Sequence, residues 1–245
     1  MIEEAIEIRT GDGTADGLLY RAEGERRPGV IHLTDIGGIR QSHRDMAKRL
    51  AGKGYTVLMP NVFYRTGKPP IIDITIGMGD ERTMKRFAEL RAPMTPEAVE
   101  RDGTAYVNFL AGHSAASAAS IGVVGYCFTG AMAMRTAAAM PGKVAAMASF
   151  HGGGLYTDEP TSPHLVLPRI KARLYFGHAT KDRSMPAEAI EKFDAALAAW
   201  GGKYESEVYE GAFHGWTTAD APVYNQPQAD RAFEKLVELF AGTLK

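Results

Sequence analysis

Apolar, β-branched runs alternate along this chain with amphipathic, helix-forming stretches. Residues 29–35, 55–62, 120–126, 144–150, 172–178 and 204–210 read as strands. Several are apolar at nearly every position, as strands buried on both faces of a parallel sheet are. Residues 42–53, 96–111, 129–140, 186–200 and 228–241 read as helices. The helix at 96 opens on Thr95-Pro96-Glu97, an N-capping residue, a proline at the first helical position and an acid in the first turn. In the last helix Phe233, Leu236, Val237 and Phe240 recur at i, i+3, i+4 and i+7, which makes one apolar stripe. The stretch 63–94, rich in Gly, Pro, Met and Arg, follows neither period. It is expected to be irregular and to cover a functional site. No repeat, low-complexity segment or linker divides the chain. The alternation predicts an α/β fold, a mostly parallel, doubly wound sheet flanked by helices, formed as one domain over 1–245.

Composition narrows the class. Over 245 residues, 45% are apolar and 23% charged, with a formal net charge of -1. That balance suits a globular domain and implies neither a nucleic-acid partner nor an anionic membrane surface. No apolar run reaches membrane-spanning length. The acidic start, Met1-Ile2-Glu3-Glu4, is unlike a signal peptide. A single cysteine forms no internal disulfide, so a cytoplasmic location is expected. One thiol and no paired-histidine motif give no metal site, and no cofactor motif is present. No sequence feature fixes an oligomeric state.

That cysteine, Cys127, sits in Gly125-Tyr126-Cys127-Phe128-Thr129-Gly130, between the strand at 120–126 and the helix at 129–140. Strand, sharp turn and helix with a nucleophile at the apex read as the nucleophile elbow of an α/β-hydrolase, with Cys for Ser and the last Gly one place late. The alternative is a small buried hydrophobe, for which the flanking glycines would be unnecessary. A thiol nucleophile needs a base, and the base an orienting acid. The strand at 172–178 leads into Thr180-Lys181-Asp182, and the strand at 204–210 into Phe213-His214-Gly215-Trp216. Asp182 and His214 thus each follow the carboxyl end of a strand, in the order nucleophile, acid, histidine that this fold uses. The turn Asp35-Ile36-Gly37-Gly38 after the first predicted strand offers the Ile36 amide, with that of Phe128, as an oxyanion-binding pair. A plain flexible loop is the competing account of the two glycines. His151-Gly152-Gly153-Gly154 follows the nucleophile and reads as a strand exit. His32 reads as a core residue, and His43, His113, His164 and His178 as surface or loop residues.

The G-Y-C-F-T-G elbow, the Lys181-Asp182 loop and the Phe213–Trp216 segment together resemble the dienelactone hydrolase family over nearly the whole chain. The resemblance implies that Cys127 attacks the carbonyl of a small ester or lactone, that His214 moves the proton, and that Asp182 orients the imidazole. It implies an acyl-enzyme and no cofactor. Two departures stand out. The family's type enzyme carries a Glu, thought to take the thiol proton, where this chain has Asp35; that residue is either an accessory of the same kind or a cap of the following backbone. The type enzyme also uses an arginine four residues after the histidine, where this chain has Thr218, and Arg82, Arg86 or Arg91 is left to supply a cation. A carboxylated substrate is therefore less expected, Trp216, Phe128 and Tyr64 suggest a more apolar pocket, and Trp216, Tyr64 and Arg86 are the expected substrate-binding residues. A non-hydrolytic ligand-binding protein and a thiol redox sensor use the same fold and thiol. The first requires a misaligned triad or an inert Cys127, and the second lacks a resolving cysteine.

Overall fold

A computed structural model describes residues 1–24, 26–72 and 80–245. Eight strands form one sheet: β1 (Ile2–Thr10), β2 (Gly13–Arg21), β3 (Arg27–Leu33), β4 (Thr56–Pro60), β5 (Ala116–Tyr126), β6 (Val144–Phe150), β7 (Arg173–Ala179) and β8 (Tyr204–Tyr209). Their spatial order is β1-β2-β4-β3-β5-β6-β7-β8. From β4 to β8 every pairing is parallel; β2 joins β4, and β1 joins β2, antiparallel. Among the described residues six α-helices accompany them: α1 (Gln41–Ala51), α2 (Glu81–Arg91), α3 (Pro96–Gly112), α4 (Thr129–Ala139), α5 (Ala187–Trp200) and α6 (Gln226–Ala241).

The central strands are apolar throughout because both of their faces are covered. Neighbouring residues divide between two cores. Ile31, Val123 and Met147 pack with residues of α3, α4 and α5, while Val30, Val124 and Ala148 pack with α1 and α6. This is the expected doubly wound arrangement, with the parallel strands all ending along one edge.

The six expected strands and five expected helices are present, with ends displaced by a few residues. Three features differ. The β1–β2 hairpin was not expected: Ile6 and Ile8 face the core, but only these two of the nine β1 residues are buried, and the charged residues around them mask the alternation. Within 63–94, expected to be irregular, α2 forms a regular helix, capped by Asp80, whose side chain accepts from the Arg82 and Thr83 amides. The expectation for residues 73–79 lies outside the described residues. His43 and His178, expected at the surface or in loops, are buried on α1 and β7, whereas His32 is buried as expected.

Candidate active site

The turn between β5 and α4 is built from close approaches. A Cβ on Gly125 would lie 2.2 Å from the Thr129 carbonyl oxygen, and one on Gly130 would lie 2.2 Å from Ser149 Oγ. The late glycine is thus required by the sheet neighbour β6. Thr129 fills the intervening place, and its hydroxyl accepts from the Tyr126 amide at 2.8 Å. At the apex Cys127 has φ 59°, in the left-handed region that costs a non-glycine residue about 1–2 kcal/mol. Its side chain is half-buried. Its amide donates to the Phe150 carbonyl (3.2 Å) and to His151 Nδ1 (3.0 Å).

His214, from the loop after β8, and Asp182, from the loop after β7, meet at 2.6 Å between Nδ1 and Oδ2. Asp182 Oδ1 accepts from the Ser184 amide (2.8 Å) and the Ser184 hydroxyl (2.7 Å). Burial alone would raise the Asp182 carboxyl; His214 and Ser184 outweigh it and hold it below the usual range. Burial opposes the charge on His214, but the Asp182 hydrogen bond and the neighbouring Cys127 side chain outweigh it and push the imidazole up to about 10. The structure therefore brings Cys127, Asp182 and His214 together.

His151 was expected to mark only a strand exit. Its ring lies 5.1 Å from that of His214 and 5.1 Å from Trp216. Because Nδ1 accepts from the Cys127 amide, Nε2 carries the proton and donates to the Thr217 hydroxyl at 2.8 Å. Burial, then His214, holds His151 well below its ordinary value, so it stays neutral beside a charged neighbour. Cys127, His151 (φ 42°) and Lys181 (φ 56°) are the non-glycine residues with positive φ among the described residues, and all follow β-strands at the same edge of the sheet.

Among the described residues, neither the Ile36 nor the Phe128 amide has a hydrogen-bond partner, as an oxyanion-binding pair requires. The Ile36 turn is fixed by Asp35, which both caps and pairs. Its Oδ1 accepts from the Gly37 amide at 2.9 Å. Arg40 clamps both its oxygens, at 2.5 and 2.9 Å, and reaches on to Asp220 at 2.8 and 3.1 Å. His43 Nε2 lies 3.3 Å from Asp35 Oδ2. Burial would raise the Asp35 carboxyl, but His43 and Arg40 hold it far below the carboxylate range.

The expected substrate contacts fare differently. Phe128 packs at 5.7 Å from Phe63 and 6.1 Å from Phe87 of α2, so α2 lies against the elbow. Trp216 is fully buried, its ring stacked on Tyr209 at 4.9 Å; it belongs to the core because the β8 loop folds inward there. The Tyr64 hydroxyl is held between Thr10 and Asp102, at 2.8 and 2.9 Å. Arg86 donates to the Thr66 carbonyl and pairs with Glu89. Both side chains are held by these contacts within the chain. Ser184, Arg40 and His151 were missed as site residues. The Asp182-x-Ser184 spacing is an Asx-turn signal for the first; Arg40 turns back on Asp35 within one loop and also reaches the distant Asp220, and His151 meets the Cys127 amide from a separate strand end.

The dienelactone hydrolase family model matches residues 15–244. The carboxymethylenebutenolidase of Rhodococcus opacus is 28% identical over 215 residues, 86% of this chain and 79% of that protein. A crystal structure of a Klebsiella pneumoniae protein assigned as a dienelactone hydrolase superposes with a TM-score of 0.86 at 23% identity, covering 98% of each chain. The dienelactone hydrolase-like promiscuous phosphotriesterase P91, from metagenomic libraries, gives 0.81 at 17% identity over 100% of this chain and 99% of its own. Both likenesses concern the fold. With the matched model spanning nearly all of its length, the chain belongs to the dienelactone hydrolase family and is a hydrolase of that kind.

Proposed function

We propose that the protein hydrolyses a small carboxylic ester or lactone through Cys127, His214 and Asp182. The observation that carries this reading is the 2.6 Å Asp182–His214 contact beside a strained elbow cysteine. An imidazolium next to the sulfur favours the nucleophilic thiolate. The thiolate attacks the carbonyl carbon and the carbonyl π electrons move to oxygen, where the Ile36 and Phe128 amides stabilise the charge. Collapse breaks the ester bond, and the leaving alkoxide takes the proton from His214. This yields a thioester on Cys127 and a neutral imidazole. His214 then removes a proton from water; the hydroxide adds to the thioester, and collapse releases the acid and restores thiolate and imidazolium. Asp182 holds the ring in the orientation that points Nε2 at the reacting atoms.

An apolar acyl group suits the Phe63–Phe128–Phe87 cluster, and α2 is the covering element of the pocket. Thr218 is buried, and its hydroxyl donates to the Gly215 carbonyl at 2.9 Å, so it offers a carboxylate nothing. The test compares p-nitrophenyl butyrate and a dienelactone as substrates for wild type, Cys127→Ala and His214→Ala. Turnover is expected to fall by roughly 10⁴-fold in each variant with the fold intact, and the acyl adduct is expected on the wild-type Cys127 by mass spectrometry. Wild-type rates in Cys127→Ala would overturn the assignment. The ester is expected to outrun the dienelactone.

A further inference from the structure

We infer that the protein has a second small-molecule site, between α1 and α6, for a neutral, phenol-sized molecule carrying a hydroxyl group. A cavity of about 180 Å³ lies there, lined by His32, Ser42, Tyr126, Phe150, Phe233 and neighbouring residues. None of Cys127, Asp182 and His214 lines it. Its size is near that of cavities of roughly 150 Å³ that accept benzene. Its walls are largely aromatic and aliphatic. The charged side chains on it are already engaged: Arg49 pairs with Asp230 at 2.8 Å, and Asp45 accepts from Gln41 at 2.8 Å. A charged ligand would therefore be desolvated without a free partner.

Two polar groups set the need for a hydroxyl. His32 is 1% exposed and Ser42 is 6% exposed, and both line the cavity. Among the described residues, His32 Nδ1 and Ser42 Oγ have no hydrogen-bond partner. Buried polar atoms are nearly always satisfied, so an occupant with one group that both donates and accepts fits the pair. Burial and the neighbouring His43 keep the His32 ring neutral.

The same histidine is wired to the site. His32 Nε2 and His43 Nδ1 share a 2.8 Å hydrogen bond, and His43 Nε2 faces both the Asp35 amide (3.2 Å) and the Asp35 carboxylate (3.3 Å). The two rings therefore have linked tautomers. A ligand hydroxyl donating to His32 Nδ1 places the His32 proton on Nε2 and the His43 proton on Nε2, toward Asp35. A ligand accepting from Nδ1–H reverses both. A second chain runs from Thr217, also on the cavity wall, through His151 to the Cys127 amide.

The probe is 4-methylphenol, with toluene as its hydroxyl-free counterpart, titrated into the intact protein and followed by calorimetry and by ¹⁵N shifts of the histidine rings. Saturable binding of 4-methylphenol, at least tenfold tighter than toluene, with changed His32 and His43 ring nitrogens, is expected. Ala229→Leu and Ala232→Leu, made separately on the α6 wall, are expected to weaken it at least tenfold. Protein whose Cys127 is alkylated is expected to bind 4-methylphenol as before, which separates this site from the hydrolytic one. Absence of saturable binding, equal affinity for toluene, binding indifferent to both folded α6 variants, or loss on Cys127 alkylation would each overturn the inference. A single ordered water as the only occupant would do the same. Because the readout is binding, its failure leaves the hydrolytic reading untouched, and the reverse holds as well.

Discussion

His214 is held between an acid and a thiol, and its protonation is the property most sensitive to both. Its folded value is about 10 against an ordinary 6.5, so the folded chain binds that proton more tightly than the unfolded chain does. The resulting stability is complete below pH 6.5 and fades as pH rises through about 10. Asp182 has the opposite sign: its folded value is lowered from 3.8, so its contribution is present above that value and is lost as pH falls. Asp182→Asn is expected to remove most of the decline in urea-unfolding free energy between pH 7 and 10 and to lower turnover by roughly 10⁴-fold. An equal slope in both proteins would mean that another group carries the alkaline titration. These three residues were legible in the sequence because each follows a strand that could itself be recognised. Ser184 was hidden in a loop whose acid was taken alone. His151 was not legible because its partner, the Cys127 amide, comes from another strand end, and Arg40, although only five residues from Asp35, gave no sign that its side chain turns back to clamp it and reaches on to the distant Asp220.

The strand–turn–helix unit around Cys127 converts glycine placement into placement of the thiol. Gly130→Ala would put a methyl group 2.2 Å from Ser149 Oγ and 3.1 Å from Gly152 Cα. The turn must shift to admit it, so a stability loss of about 1–3 kcal/mol is expected, together with at least a tenfold fall in kcat, measured on p-nitrophenyl butyrate. Unchanged kcat would show that the elbow tolerates displacement. Elements buried on both faces were the readable ones, since continuous apolar runs mark them clearly. The helix α2 buries only Thr83 and Leu90 in full, so its stripe was too narrow to stand out from the Gly- and Pro-rich residues before it. In β1 the exposed positions Glu3, Glu7 and Arg9 are charged, with Ala5 the small exception, as befits an exposed edge that must not pair with other chains.

Across the whole molecule, two cores on opposite faces of one sheet fix where the strand ends lie, and the loops that carry chemistry are anchored into those cores. Trp216 is the clearest anchor. It follows His214 by two residues, yet its indole is buried with Tyr209 and His151 in the core shared by α1 and α6. Trp216→Ala is expected to cost about 3–5 kcal/mol of folding stability, read from the urea midpoint and slope. A cost below about 1 kcal/mol would mean that the loop is held by its hydrogen bonds alone. The sequence suggests Trp216 for the pocket wall, whereas its ring is buried in the core, because an aromatic beside a site serves equally as wall or as foundation.

Cys127, His151 and Lys181 each hold a backbone conformation that their side chains disfavour, and all three cluster at one edge of the sheet. A selection for thermal survival alone would accept glycine at 181 readily and at 151 next, the second removing the ring between the thiol's amide and the histidine. Glycine at 181 would relax the loop beside Asp182 without touching a side chain of the candidate site, whereas the same relief at 151 would remove the ring that accepts from the Cys127 amide.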